Sequence, residues 1–156
     1  MSKDHATLGA RSARLYYRYA RAVDEGDLDA LRAMVTDDVK FTPSDRPTEV
    51  GVEAFLGVYR AHNALAIPVC KHMVTNVLAE ASGREILTHA YFQASFFETE
   101  RTLLIAGVYD DVHVEDGNEL KIAHKKIRVE RVLRLPAADC SMPKWPESGL
   151  DATGAS

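Results

Sequence analysis

The sequence predicts an α+β domain in which three helices pack against one face of a curved, mostly antiparallel sheet. In the amino-terminal half, apolar residues recur at the three- and four-residue spacing of amphipathic helices. In the carboxyl-terminal half, four longer runs of β-forming residues are separated by short turn signals. Because the strands follow the helices as a block, the order favours an antiparallel meander covered by helices over alternating parallel units.

Each of the three predicted helices has an apolar face. The first spans about residues 7–23, and the second begins after Asp27, whose side chain can cap the first backbone amides. The third lies within "VEAFLGVYRAHNAL", after a loop that contains proline. The residues that form these faces are Leu15, Tyr19, Ala22 and Val23, then Leu28, Leu31, Met34 and Val35, and finally Val52, Phe55, Leu56 and Tyr59.

The sheet is predicted to contain a short strand in "TDDVKFTP" and four longer strands. The longer strands span about residues 70–80, 85–98, 102–115 and 119–133. They are separated by "ASGR", "TER" and "EDGN", and the last of these is a strong hairpin signal. Residues 1–135 are therefore expected to form one domain, while residues 136–156, with several prolines and the single tryptophan, are expected to form an irregular tail.

Composition argues against several classes of function. A chain of 156 residues with 46% hydrophobic and 27% charged residues is typical of a single globular domain. The net charge of -4 gives no basic surface for nucleic acid, and acidic residues flank the basic segment "KIAHKKIRVER". No segment has the apolar length of a membrane span or the pattern of a signal peptide, so we expect a cytoplasmic protein with no membrane partner.

No motif in the sequence indicates a metal or a cofactor. The two cysteines, Cys70 and Cys140, are too few for a disulfide framework and lack zinc-motif spacing, so we expect two free thiols. The segments "ASGRE" and "EDGNE" are turns rather than phosphate-binding loops, and the spacing "HxxxN" is not a zinc motif. We therefore expect no cofactor and no metal ligands.

The predicted strand "CKHMVTNVLAE" carries two polar residues in an otherwise largely apolar segment. Successive side chains of a strand alternate between faces, so His72, Val74 and Asn76 are predicted to share one side of the sheet. If that side faces solvent, the pattern carries no functional meaning. If it faces a concave interior, His72 and Asn76 lie in a pocket, although cross-strand hydrogen bonding explains Asn76 better than a pocket role does, since one amide carries little specificity.

Three segments resemble one family in their order and spacing. These segments are "YARAVDEGDLDALRAMVTDDVKF", "KHMVTNV" and "IAGVYDDVHVEDGNELKIAHKKI", and residues 10–133 as a whole resemble the SnoaL-like branch of the nuclear transport factor 2-like superfamily. The resemblance implies a cone, in which a strongly bent sheet wraps around the helices and leaves an apolar pocket at its open end. It also implies a small hydrophobic molecule in that pocket and a homodimer or higher homo-oligomer formed through the sheet.

Within that branch, the sequence is similar to small lyases of the scytalone dehydratase and lindane dehydrochlorinase type. Those enzymes pair an aspartate at the end of the first helix with a histidine at the start of the strand after the third helix. Asp24 of "AVDEGD" and His72 of "CKHMVTN" stand at these positions. The resemblance implies an acid-base pair for elimination, isomerisation or ring closure, and it implies that Arg128 in the last strand contacts the substrate.

Other side chains are candidates for the walls of such a pocket. His89 lies in the strand 85–98, whose even positions are the more apolar, and if the even face lines the cone, His89 lies outside it. Five aromatic residues are either core residues or walls that contact a ligand, and these are Tyr16, Tyr19, Phe41, Phe55 and Tyr59.

Two other functions compete with the lyase hypothesis. The segment "ASFFETERTLLIAGVYDDVHVEDGNELKIAHKKIRVERVL" also resembles the small subunit of aromatic-ring-hydroxylating dioxygenases, which shares the cone and supports an iron-containing large subunit. In that case His72 would have no catalytic task. A module that binds a ligand without turnover would need only the same pocket.

Overall fold

The computed structural model describes residues 5–136, so the predicted tail lies outside the described residues from position 137 onward. No helix in the described part of the chain is both long and apolar enough to cross a lipid bilayer. The helices are α1 His5–Glu25, α2 Leu28–Ala33 and α3 Val52–Ala64. The strands are β1 Val35–Thr42, β2 Glu49–Val50, β3 Val69–Ser82, β4 Glu85–Phe97, β5 Arg101–Tyr109, β6 Val112–Asp116 and β7 Glu119–Pro136.

The link between α1 and α2 explains where Asp24 is placed. Asp27 precedes α2, and its side-chain Oδ1 accepts a hydrogen bond from the backbone N–H of Ala30 at 2.9 Å, as predicted for a helix cap. Gly26 joins α1 to this cap with φ 69°, a left-handed conformation that favours glycine. This short link leaves Asp24 in the last turn of α1.

The seven strands form one curved, mixed sheet, which agrees with the predicted α+β class. The main strand order is β2-β1-β7-β5-β4-β3, and β6 pairs with both β4 and β7. Strand β1 runs parallel to β7, and the other pairs are antiparallel. Helix α1 packs against β3, and this contact brings the end of the helix beside the start of the strand.

The single strand predicted over residues 102–115 is in fact two strands, β5 and β6, which are separated at Asp110 and Asp111. The Asp111 carboxylate is buried and accepts hydrogen bonds from the Lys125 ammonium at 2.8 Å and from the Lys126 N–H at 2.7 Å. These bonds turn the chain inward at this point, and β6 continues against β4 and β7. The prediction of one strand rested on apolar periodicity, which carries no information about such a tertiary contact.

A β-bulge in β3 changes which residues of the strand face inward. Residues 75 to 78 of β3 oppose residues 91 to 89 of β4, so β3 has one extra residue there. Asn76 lies in the bulge with φ 55° and is exposed. His72 and Val74 lie on the inner side, but Asn76 does not share it, because the extra residue reverses the alternation.

Aromatic side chains fill the space between the helices and the inner face of the sheet. The five aromatic residues singled out in the sequence are all at most 5% exposed. From the sheet, the rings of Phe92 and Tyr109 stack with their centroids 4.4 Å apart. Each fully buried side chain of this size contributes about 1.5–3 kcal/mol to the free energy of unfolding. This part of the interior is therefore a packed core, whereas an apolar pocket was expected from the resemblance.

Candidate active site

The structure brings Asp24 and His72 into direct contact. Asp24 lies in the last turn of α1, and His72 lies near the start of β3. Nδ1 of His72 is 2.7 Å from Oδ1 of Asp24, and the backbone N–H of His72 donates to both carboxylate oxygens at 3.1 and 3.0 Å. The side chains of His72 and Asp24 are only 11% and 9% exposed. The backbone N–H and the imidazole of His72 thus both hold the Asp24 carboxylate in place.

This contact determines which ring nitrogen of a neutral His72 carries the proton. An ionised carboxylate only accepts hydrogen bonds, so the proton lies on Nδ1 and the free lone pair lies on Nε2. Within residues 5–136, Nε2 has no hydrogen-bond partner and is not sealed from solvent. Nε2 is therefore the ring atom that is available to accept a proton, and the Asp24 carboxylate lies beside the opposite ring nitrogen.

The surroundings of the imidazole are aromatic and largely uncharged. The ring centroids of Phe96 and His62 lie 5.8 and 6.4 Å from that of His72, and Sγ of Cys70 lies 3.7 Å from Nδ1. Burial, followed by the charge of His72, lowers the pKa of His62. Burial, followed by the charge of Asp24, raises the pKa of Cys70 to about 12. At neutral pH, His62 and Cys70 are therefore uncharged.

Two surface depressions give access to the pair. One of about 330 Å³ is lined by Asp24, His62 and Cys70, together with the loop that follows α3. The other, of about 430 Å³, is lined by Asp24 and His72 with residues of α1 and β3. A larger depression of about 910 Å³ lies between α1 and the bulged part of β3 and contains neither member of the pair. The pair thus lies close to the surface, beside two depressions.

The five predicted aromatic residues belong to the packed core. The hydroxyls of Tyr19 and Tyr59 are 2.6 Å apart, and the hydroxyl of Tyr16 lies 2.7 Å from that of Thr88. Phe41 and Phe55 pack nearby, with ring centroids 6.0 Å apart. The packing satisfies the tyrosine hydroxyls within the protein. The role of these residues as ligand contacts stays a prediction.

Three other candidates lie outside the interior. In β4 the even positions from 86 to 94 are buried, so His89 faces outward, and its Nδ1 lies 2.6 Å from Oδ1 of Asp110. The side chain of Arg128 is 58% exposed, and Asn76 is turned outward by the bulge. None of the three lines the two depressions beside Asp24 and His72, and their role as substrate contacts stays a prediction.

Sequence reasoning missed a buried ion pair in the core. The side chains of Lys125 and Asp111 are 0% exposed, and Nζ lies 2.8 Å from Oδ2. The ammonium also lies 3.0 Å from the ring centroid of Tyr109 and 4.7 Å from that of Tyr19. Burial lowers the pKa of Lys125 to about 8, and the charge of Asp111 opposes this only in part. The available signals were the doublets "DD" and "KK", because one member of a doublet in a strand must face inward.

A family model described as a SnoaL-like domain matches residues 10–126. The chain belongs to the SnoaL-like family. The matched segment of this SnoaL-like domain includes Asp24, His72 and the buried Lys125. A search of curated proteins found no significant match.

Solved structures confirm that the SnoaL-like domain has the cone fold of the nuclear transport factor 2-like superfamily. Hexachlorocyclohexane dehydrochlorinase LinA-type3 from Novosphingobium barchaimii is 21% identical, with 81% of this chain and 88% of that chain covered and a TM-score of 0.71. A protein from Novosphingobium aromaticivorans provisionally named as a scytalone dehydratase is 16% identical, with 80% and 85% covered and a TM-score of 0.73. Another protein of that organism, provisionally named as an aromatic ring hydroxylase, is 19% identical, with 85% and 96% covered and a TM-score of 0.73.

Proposed function

We propose that this SnoaL-like domain is a cofactor-independent lyase or isomerase that uses Asp24 and His72 to move a proton on a small hydrophobic molecule. The observation that carries the proposal is the 2.7 Å contact between Oδ1 and Nδ1, which leaves Nε2 of His72 as a free base. The dehydratase and dehydrochlorinase names of two structural neighbours support the same class of reaction.

The pair has the groups that an elimination needs. Nε2 takes a proton from carbon, the C–H electron pair forms the new C=C bond, and the leaving group departs with the electrons of its own bond. The positive charge that forms on His72 is stabilised by the Asp24 carboxylate 2.7 Å away. Backbone hydrogen bonds already hold that carboxylate, so little reorganisation accompanies proton transfer. A general base of this kind contributes on the order of 10²–10⁴-fold in rate.

The surroundings of the pair favour a compact, apolar substrate. Phe96 packs beside His72, and apolar Ala20, Met73 and Val74 are among the residues that line the depression of about 430 Å³ containing His72. This depression is at the small end of the range of ligand-binding pockets. We therefore propose a molecule with one substituted hydrocarbon ring, or a polyketide-like ring of similar size.

Turnover by matched variants tests the proposal. The probe 5-nitrobenzisoxazole reports removal of a proton from carbon, because its ring opening gives a coloured phenolate. γ-Hexachlorocyclohexane reports dehydrochlorination through the release of chloride. We expect His72→Gln and Asp24→Asn each to lose about 100-fold or more of the rate on a probe that the unchanged protein turns over.

The exposed pair of His89 and Asp110 supplies the matched control. Its Nδ1–Oδ1 distance is 2.6 Å, close to that of the proposed active pair, but it lies on the outer face of the sheet. His89→Gln and Asp110→Asn should therefore leave turnover unchanged. Full turnover by a folded His72→Gln protein would refute the proposal. Saturable probe binding without turnover would instead favour a ligand-binding module.

The outer face of the sheet supports a second candidate function, that of a structural subunit. Met73, Tyr91, Leu104 and Leu133 are exposed apolar residues on neighbouring strands. This face can pair two copies of the chain, which we propose as the default assembly, or it can contact a larger subunit. The name of one structural neighbour as an aromatic ring hydroxylase favours the second arrangement. Light scattering separates them, because a dimeric mass of the isolated chain supports self-association, whereas a monomer that complexes only with a large oxygenase subunit supports the alternative.

A further inference from the structure

Asp24, Cys70 and His72 bring three metal-ligating atoms into one corner of the molecule. Nδ1 of His72 lies 3.7 Å from Sγ of Cys70 and 2.7 Å from Oδ1 of Asp24. One donor atom from each residue lies within 4.8 Å of the other two. We propose that this corner binds a thiophilic divalent cation of the zinc class, with the sulfur, the nitrogen and a carboxylate oxygen as its protein ligands.

The size and chemistry of the corner fit such an ion. Zinc binds thiolate sulfur at about 2.3 Å and imidazole nitrogen or carboxylate oxygen at about 2.0–2.2 Å, and tetrahedral angles then separate neighbouring ligand atoms by roughly 3.3–3.6 Å. The observed distance of 3.7 Å between Sγ and Nδ1 is close to this range. The distance of 2.7 Å between Nδ1 and Oδ1 must open by roughly 0.6 Å when a metal replaces the shared proton. Magnesium and calcium fit poorly, because both favour oxygen ligands.

The fold holds all three side chains in position. Cys70 and His72 are two residues apart in β3, before the bulge, so both leave the strand on the same side. The backbone N–H of His72 fixes the Asp24 carboxylate. The site is shielded but not closed, because Asp24 and Cys70 line the depression of about 330 Å³, where a water molecule can complete the coordination. No sequence motif indicates the site, since Asp24 and His72 are 48 positions apart.

Charge and proton balance are consistent with a dication. The thiol proton of Cys70 passes to solvent, and the resulting thiolate and the Asp24 carboxylate together neutralise two positive charges. The His72 ring stays neutral, because Nδ1 gives up its proton to bind the metal and Nε2 takes one up. His72 then has no free lone pair for a substrate, so the metal should inhibit proton transfer. This inhibition rests on the proposed function, whereas metal binding itself does not.

Cobalt(II) spectroscopy tests the site in the absence of substrate. The starting protein carries Cys140→Ser, so that Cys70 is the only thiol in the chain, and it is stripped of metal with EDTA. Titration with Co²⁺ should produce a thiolate-to-cobalt charge-transfer band that saturates at one equivalent and disappears when Zn²⁺ displaces the cobalt. Cys70→Ser should abolish the band, and Asp24→Asn should weaken Co²⁺ binding by about tenfold or more. His89→Gln should leave both unchanged, because its pair with Asp110 lies elsewhere.

The outcomes separate this site from the proposed function. Circular dichroism checks that each variant is folded, and Cys70→Ala replaces the serine variant if the latter unfolds. Failure to develop the band at saturating Co²⁺, or a band that survives removal of Cys70, overturns the metal site. Inhibition of an active, metal-free enzyme by one equivalent of Zn²⁺ supports both proposals. A cobalt band in a protein without any turnover upholds the metal site and counts against the catalytic base.

Discussion

We expect Lys125 to contribute more to the stability of the protein as the pH rises above 8. The contribution is measured against a variant that lacks this lysine. Burial lowers the pKa of Lys125 from the ordinary 10.5 to about 8, despite the ion pair with Asp111. Between these two pH values the unfolded chain binds a proton that the folded protein releases. The contribution of Lys125 to the free energy of unfolding therefore rises with pH through this window.

The size of the effect follows from the two pKa values. The difference between 10.5 and about 8 corresponds to at most about 3 kcal/mol. Roughly half of this gain, about 1–2 kcal/mol, accumulates between pH 8 and about 9.5. Cys70 and the buried tyrosines act in the opposite direction, because their pKa values are raised and the unfolded chain loses those protons first.

Urea unfolding of the wild-type protein and of Lys125→Met isolates the contribution of this one group. Apart from Asp111, which loses its ion-pair partner, the titrating groups are common to both proteins, so the difference between their free energies of unfolding reports the Lys125–Asp111 pair. We expect that difference to move in favour of the wild type by about 1–2 kcal/mol from pH 8 to about pH 9.5. Lys40→Met, at an exposed position, should show no such trend. A difference that stays constant or moves the other way would show that Lys125 is not held in a low-dielectric site.

Three further predictions concern the backbone, the thiol and a helix cap. Gly107→Ala should lower the free energy of unfolding by at least about 2 kcal/mol in urea, because its Cβ would clash with the backbone carbonyl oxygen of Arg128 in β7. Gly57→Ala, with no atom within 4 Å, is the control, and equal stability of the two variants would contradict the reasoning. Cys70 should react with a disulfide reagent roughly 10–100-fold more slowly than a model thiol at the same pH, because burial and then Asp24 raise its pKa from 9.0 to about 12, while the higher nucleophilicity of the more basic thiolate offsets part of the effect. Asp24→Asn should speed that reaction, and an unchanged rate would count against the carboxylate's effect. Asp27→Ala should cost about 1 kcal/mol of stability in urea unfolding, and an unshifted midpoint would mean that the cap does not form in solution.

The main elements of the fold could be predicted from the sequence because they depend on local patterns. Helical spacing, the Asp27 cap and the "EDGN" turn each report on neighbouring residues. The break at Asp111 and the bulge at Asn76 could not be predicted in this way. The first depends on two donors from β7, and the second depends on the register between β3 and β4. Both are tertiary contacts that override a continuous apolar pattern.

The candidate site was predictable only in part. The sequence resemblance singled out Asp24 and His72, but only the structure gives their 2.7 Å separation. The interior Lys125 and Asp111 were missed because charged residues in a strand usually face solvent, and their mutual contact explains their burial. His89 was included among the candidates because the sequence did not show which face of its strand points inward. The structure shows that the even positions of β4 are the buried ones.

The extra residue in β3 lets one strand serve two surfaces. Before the bulge, Cys70 and His72 face the metal-ligating corner and the Asp24 carboxylate. After it, Val77 and Ala79 line the separate depression of about 910 Å³ beside α1. Deleting Asn76 would turn the inward-facing side chains on one side of the bulge outward. The bulge therefore separates two segments of β3 whose side-chain alternation is set independently. Substitutions can therefore reshape the larger depression while the base and its carboxylate keep their positions.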